Sequence, residues 1–135
     1  PWDSEHNKKV LARMPRVFRS PADRGGKPGL THYQAFVGKG TVFEGSKGVK
    51  ITDITDGTSN TILVVEAATP VEWTKPGDLP YVPNQKLPKL GGLSPGGFQA
   101  AFADGSVRFL SDKLAPKTLH LLIQRNDGQP LPRDF

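Results

Sequence analysis

The chain has 135 residues and no cysteine, which excludes disulfides, thiol catalysis and zinc sites of the cysteine type. It contains 15 glycines and 13 prolines but only 36% hydrophobic residues, a composition that favours one domain of short strands and ordered loops. The net charge is +5, and residues 1–50 hold 10 Lys or Arg against 4 Asp or Glu. We interpret this region as a solvated basic surface, because no basic run exceeds two residues and no aromatic pattern accompanies it.

The N-terminal third predicts a short helix followed by extended segments. Asp3 or Ser4 caps the helix, which runs to about Met14 and ends at Pro15. Residues 16–20 are expected to be extended, and the composition of residues 21–29 is that of a loop. The strands predicted next are 31–37, 41–43 and 49–52.

A polar cluster at residues 53–61 predicts a tight connection built on side-chain turns. In it, Asp56 and Gly57 are predicted turn residues, with Gly57 in a left-handed position. Calcium is the functional alternative for Asp53 and Asp56. An EF-hand is rejected because Ile54 occupies a ligand position, so the two carboxylates stay only weak candidates for another kind of cation site.

The run Ile62 to Ala67 is the most apolar of the chain and is predicted to be the central strand, with Glu66 at its end, exposed or paired. A brief strand is expected at 71–74, followed by a long irregular loop at 75–97 with five prolines. Trp73 and Tyr81 are predicted to anchor this loop. The alternative is that they are exposed and contact a partner.

Residues 98–103 and 106–110 predict a β-hairpin with a two-residue type I′ turn at Asp104-Gly105. In this register Phe102, Val107 and Phe109 share the buried face, and Arg108 points outward. A C-terminal helix is expected from about Pro116 to Arg125, because Leu119, Leu122 and Ile123 have helical spacing.

No motif of a nucleophile, a phosphate-binding loop or a metalloprotease occurs, and the three histidines are far apart in sequence. We therefore expect no enzyme activity and no cofactor. A Ser-His-Asp site brought together by folding stays open as a minor alternative.

Three separated segments resemble a known family. They are ITDGTSNTILVVEAA (54–68), GGFQAAFADGSVRFL (96–110) and the final RNDG (125–128). The chain resembles the globular part of prepilin-type proteins numerous in Planctomycetes, a family of domains of unknown function numbered 1559. The C-terminal signature of that family is His, nine residues, then Asp-Gly. Asp104 and Gly105 match it, but Ser94 stands where the histidine is expected, so no role of that histidine is carried over.

The resemblance implies an apolar N-terminal helix ahead of Pro1 that packs across the sheet and anchors the protein in a membrane. No run of the sequence itself approaches the roughly 18 apolar residues of a bilayer span. We expect the α+β fold class, with a pilin-like antiparallel sheet, a C-terminal helix and long Pro/Gly-rich loops in one domain over residues 1–135.

The expected function is that of a non-catalytic structural subunit in the cell envelope or outside the cell. Its expected partners are copies of itself or related pilin-like subunits, and the membrane is contacted only through the N-terminal helix. The alternative is a surface module that binds a glycan, a cation or a protein through the loop at 75–97. DNA capture through the basic region is a third, less favoured possibility.

Overall fold

The computed structural model describes residues 1–46 and 48–132. Its α-helices are α1 (Glu5–Leu11) and α2 (Pro116–Ile123), and single turns of 3-10 helix lie at Arg16–Phe18, Ile51–Asp53 and Thr58–Asn60. The strands are β1 (Leu30–Gln34), β2 (Phe36–Val37), β3 (Ile62–Glu72), β4 (Leu79–Pro80), β5 (Gly97–Phe102) and β6 (Val107–Ser111).

The main sheet has four antiparallel strands in the order β1-β3-β5-β6. The apolar run Ile62 to Ala67 lies inside β3, which has a neighbour on each side, so its predicted central position is confirmed. With the C-terminal helix at the predicted place, the structure confirms the α+β fold class.

The core lies between one face of this sheet and α2. Pro116 occupies the first turn of α2, where its missing N–H leaves no donor unpaired. Leu119, Leu122 and Ile123 are buried as the spacing predicted, and they pack with Phe98, Phe102 and other side chains of the sheet.

A large bulge interrupts the pairing of β1 with β3. Thr31 pairs with Val71 and Tyr33 with Glu66, so residues 67–70 of β3 have only His32 opposite them. Two buried side chains of β1 replace the missing backbone bonds: His32 Nδ1 lies 2.8 Å from the Ala67 carbonyl, and Gln34 Nε2 donates to the Thr69 carbonyl at 2.7 Å. The bulge also explains how a proline is tolerated at position 70 of an interior strand.

The predicted strand 31–37 is in fact two strands. The N–H of Ala35 leaves the main sheet and donates to Asp78 Oδ1 at 2.9 Å. The chain then continues as β2, which pairs with β4 in parallel and forms a small second sheet. The break could not be read from the alternation of apolar residues, because its acceptor comes from a carboxylate 43 residues away.

Five other local predictions need correction. Segments 16–20 and 49–52, expected to be extended, each contain a 3-10 turn, and 41–43 makes only an isolated bridge between Phe43 and Val37. Helix α1 is capped by Ser4, whose Oγ accepts from Asn7 N at 3.3 Å, but it ends at Leu11 and buries no residue. Glu66 lies in the middle of β3 instead of at its end.

The hairpin of β5 and β6 exists, but its turn is not type I′. Phe102 N donates to the Ser106 carbonyl at 2.8 Å, and Gly105 N donates to the Phe102 carbonyl at 2.9 Å, which leaves a loop of three residues. Gly105 has a φ of +85°, whereas Asp104 does not have a positive φ. This is the combination of a tight turn with a left-handed glycine that three-residue hairpin loops favour.

Candidate functional site

The face of the sheet opposite α2 is partly covered by residues 17–21, and the rest of it lies open to solvent. Side chains alternate between the two faces along each strand, and paired residues of neighbouring strands point to the same face. The residues that lie between the core residues along the strands therefore form this open face. Val107 is 65% exposed and Phe109 is 49% exposed, values unusual for large apolar side chains on a sheet. The open face consists of Tyr33, Val64, Gln99, Ala101, Val107 and Phe109.

The facing predicted for β6 is therefore wrong, and the turn explains why. A two-residue turn would pair Phe102 with Val107, whereas the three-residue loop pairs Ala101 with Val107. A slip of one residue moves every side chain of a strand to the other face. Val107 and Phe109 thus reach solvent, and the Arg108 guanidinium stacks over the Phe102 ring, 4.3 Å from its centroid.

The open face contains a depression of about 570 Å³, which we call the trough. Val64 and Ala101 form its floor, and Val107 lies on one side. The opposite side is held in place by two contacts, from the Phe18 ring to Trp73 at 5.1 Å between centroids and from Thr31 Oγ1 to the Phe18 carbonyl at 2.6 Å. Its lining residues are Val17, Phe18, Pro21, Tyr33, Val64, Gln99, Ala101 and Val107.

Glu66 is buried next to the trough and is only 1% exposed. Its Oε1 accepts from Ser20 Oγ at 2.6 Å, and its Oε2 accepts from Gln99 N at 2.9 Å. Its backbone carbonyl accepts from Gly91 N, because β3 changes partner here from β5 to the segment around Leu90. The Glu66 carboxylate therefore accepts hydrogen bonds at the point where β3 changes its partner strand. These two bonds explain, without a functional role, why a carboxylate is buried here.

A second concavity, the polar cleft, lies between residues 84–86 and α2 and has a volume of about 630 Å³. His120 lies in it, and its Nδ1 is 3.0 Å from the Tyr81 hydroxyl. Tyr81 is 3% exposed, and burial raises the pKa of its hydroxyl. The lining consists mainly of amide and charged side chains: Asn84, Gln85, Lys86, Lys117, His120, Gln124, Asp127 and Gln129, with Pro116 and Leu121.

The two aspartates weighed as cation ligands are turned toward backbone N–H groups. Asp53 Oδ2 accepts from Lys50 N at 3.0 Å. Asp56 accepts from Asp127 N at 2.7 Å and from Gly128 N at 3.0 Å, so it ties the start of β3 to the chain after α2. Gly57 has a φ of +96°, and its predicted positive φ is confirmed.

Asp127 lies close enough to Asp56 to be affected by its charge. Partial burial, together with the neighbouring Asp56 carboxylate, raises the pKa of Asp127, although a bond from Gln129 N acts in the opposite direction. Within residues 1–46 and 48–132, no group of three His, Cys, Asp or Glu side chains is placed to hold a metal ion.

The remaining predicted residues are dispersed over the fold. Trp73 is half-buried and donates from Nε1 to the Leu11 carbonyl at 3.1 Å, while Tyr81 is a core residue, so both anchor their loop. Tyr81 is therefore not available to a partner, and a contact through Trp73 stays a prediction. Asp104 Oδ1 accepts from the Ser106 N–H and hydroxyl, and these bonds lower the pKa of Asp104.

Sequence reasoning missed both concave surfaces. The trough depends on the register of β6, and the polar cleft depends on which loop packs beside α2; neither follows from local spacing. The one signal available for the trough was the pair of apolar residues Val17 and Phe18 in the short segment 16–20, which was expected to be extended. None of the helices within the described part of the chain has the length and apolar character needed to cross a membrane.

The fold and its surfaces define a small α+β domain whose main sheet packs against α2 on one face and is only partly covered on the other. A family model described as a protein of unknown function (DUF1559), SBP_bac_10, matches residues 1–89. The chain belongs to this DUF1559 family. The match ends before Ser94, Asp104 and Gly105, so it gives no information on the signature discussed for them. Comparisons with curated proteins and with solved structures produce no match.

Proposed function

We propose that this chain is the globular part of a pilin-like structural subunit of the cell envelope or of an extracellular assembly. In this proposal the domain performs no catalysis and needs no cofactor. It associates with copies of itself or with related subunits, and only an apolar helix ahead of Pro1 contacts the membrane.

The trough is the observation that supports this proposal. Sheets that expose one face to water usually carry polar side chains there. Here Val64, Ala101 and Val107 lie side by side on that face, and Val107 and Phe109 are largely exposed. An apolar helix laid in the trough would remove these side chains from water, at about 25 cal/mol for each Å² of apolar surface buried.

The charge distribution supports association between subunits. The N-terminal third is basic, with 10 Lys or Arg against 4 Asp or Glu in residues 1–50, whereas residues 51–90 hold 3 against 5. A basic surface on one subunit and an acidic one on its neighbour would mainly increase the association rate.

Photo-crosslinking from the trough tests the proposal. The longer gene product, with whatever precedes Pro1, would carry a photoreactive amino acid at Val17, which lines the trough and is 76% exposed. We expect cross-links to map to an apolar segment of about 20 residues ahead of Pro1. The same probe at Val82, which is 50% exposed on the loop after β4, is the control. A gene without such a segment, or equal cross-linking from both positions, would contradict the proposal.

The polar cleft favours a second candidate function, a binding module for a small polar ligand such as a saccharide. Its volume of about 630 Å³ lies within the range of ligand pockets. Side-chain amides such as those of Asn84, Gln85 and Gln124 both donate and accept hydrogen bonds, which suits sugar hydroxyls.

Thermal denaturation with a panel of monosaccharides tests this candidate. A ligand present at about 100 times its Kd would add about 2.7 kcal/mol to the free energy of unfolding. We expect Gln124→Ala to abolish the increase and Gln99→Ala, an exposed position on the open face, to leave it unchanged. If no sugar raises the melting temperature, this candidate is rejected.

A further inference from the structure

The two outer edges of the main sheet differ in how they are protected. Beside β1 lies the segment around the 3-10 turn at Arg16–Phe18, which is fixed by the bond from Thr31 Oγ1 to the Phe18 carbonyl. In the part of the chain that the structure describes, β6 has a strand neighbour on one side only, namely β5. An unpaired strand edge is a template for another strand.

The hydrogen bonds of the hairpin show which backbone groups of β6 point to its free edge. Phe102 N donates to the Ser106 carbonyl, and Asp112 N donates to the Gly96 carbonyl at 3.0 Å. Antiparallel pairs alternate between bonded and non-bonded, so the even-numbered residues 106–112 face β5. The backbone groups of Val107, Phe109 and Ser111 therefore point away from the sheet, although the Ser111 carbonyl accepts from Leu114 N at 3.1 Å.

This edge lacks the devices that usually block edge pairing. Strand β6 reads VRFLS and contains neither lysine nor proline, and its pairing with β5 runs without a bulge. Its only charged side chain, Arg108, turns to the other face, where its Nη2 donates to the Ser59 carbonyl at 2.8 Å. The side chains next to the outward backbone groups are the exposed Val107 and Phe109.

We infer that β6 pairs with β6 of a second copy of this chain, antiparallel and centred on Phe109. In this register the N–H of Phe109 donates to the Phe109 carbonyl of the other copy, and the reverse bond is equivalent. The N–H of Ser111 meets the Val107 carbonyl of the other copy. Every outward group named above is then paired except the N–H of Val107, which faces the Ser111 carbonyl already used within its own chain.

The side chains favour the antiparallel arrangement. It places Arg108 opposite Leu110 of the second copy, whereas a parallel pair in register would place Arg108 opposite Arg108, and like charges directly opposite each other are destabilising. The two Phe109 rings meet on the open face. The product is a continuous sheet of eight strands with both troughs on the same side. This inference rests on the proposed function in taking a copy of the chain as the partner, and it gives that association a defined surface.

A single-cysteine experiment on the 135-residue chain tests the pairing. Because the chain has no cysteine, Phe109→Cys introduces its only thiol. Across a bonded antiparallel pair the Cα atoms are about 5.5 Å apart, within the range of about 4.4–6.8 Å for disulfides. The control is Val82→Cys, whose exposure of 50% matches the 49% of Phe109. We expect the Phe109→Cys dimer to form about tenfold faster or more, because pairing holds the thiols at high effective concentration.

Sedimentation velocity of the unmodified chain gives an independent measurement. We expect a monomer–dimer equilibrium that Phe109→Lys abolishes and Val82→Lys leaves unchanged, with circular dichroism confirming that both variants are folded. In the dimer, the amides of Phe109 and Ser111 should gain protection from hydrogen exchange as concentration rises. A monomer at all concentrations up to about 1 mM, or equal cross-linking of the two cysteine variants, would overturn the inference. Neither result would bear on the trough, which is tested separately in the longer gene product.

Discussion

Substitution of Gly105 isolates the conformational cost of the β5–β6 turn. Its φ is +85°, and a Cβ atom added there would have no other atom within 4 Å, so no steric contact contributes. A left-handed conformation costs an L-residue about 1–2 kcal/mol. Replacing glycine also lowers the conformational entropy of the unfolded chain, which offsets about 0.4–1 kcal/mol of this cost. We expect Gly105→Ala to lower the free energy of unfolding by about 1 kcal/mol and Gly105→Val by about 2 kcal/mol, because β-branched residues are especially strained at positive φ. Gly105→Asn should cost about 0.5 kcal/mol, since asparagine tolerates this conformation.

Urea denaturation at equilibrium measures the series, with the slope m checked for constancy. The matched control is Gly25→Val, because a Cβ at Gly25 also has open space around it and the backbone there is not in the left-handed region. It should change stability by less than about 0.5 kcal/mol, as ordinary surface substitutions do. The reasoning is refuted if Gly105→Val also falls within that limit, or if asparagine costs as much as valine.

Other predictions concern the buried and paired carboxylates. Asp56→Asn should lower stability by about 1–2 kcal/mol, because one amide oxygen cannot replace two carboxylate oxygens that accept from Asp127 N and Gly128 N. Asp127→Asn should raise stability at pH 7. The pKa of Asp127 is raised in the folded state, so the native protein loses stability as pH rises from the unfolded-state pKa to the folded-state pKa of this carboxyl. Below both pKa values the carboxyl is protonated in both states, and urea titrations should then show no stabilisation by Asp127→Asn. Glu66→Gln should cost about 1–3 kcal/mol, because either Ser20 Oγ or Gln99 N loses its acceptor; an unchanged urea midpoint would contradict this.

The elements predicted correctly are those whose signals are local. Pro116, the spacing of Leu119, Leu122 and Ile123, and the Asp104-Gly105 pair act within a few residues, and α2 and the hairpin lie where they predicted. The apolar run from Ile62 is also a local signal, because consecutive apolar, β-branched side chains favour a strand whatever its partners are.

The elements predicted wrongly depend on distant partners. Nothing near Ala35 shows that Asp78 will accept its N–H and divert the chain into β2. Glu66 looked like a strand end because a buried carboxylate needs donors, and these come from Ser20 and Gln99, both more than thirty residues away. The trough was not predicted because the hairpin loop has one residue more than expected. That residue shifts the register of β6, so Val107 and Phe109 lie on the open face and not in the core.

The bulge between β1 and β3 divides the domain mechanically. Beyond the bulge, Val71 of β3 pairs with Thr31, and Trp73, which follows β3, contacts Leu11. Before the bulge, residues 62–65 of β3 are bonded to β5. Opposite residues 67–70 of β3, the side chains of His32 and Gln34 make the hydrogen bonds that the backbone of β1 does not make. We therefore expect tension applied at the N-terminus to break the bonds from Ser20 to Glu66 and from Trp73 to Leu11, and so to detach the first thirty residues, before the ladder of β3, β5 and β6 opens.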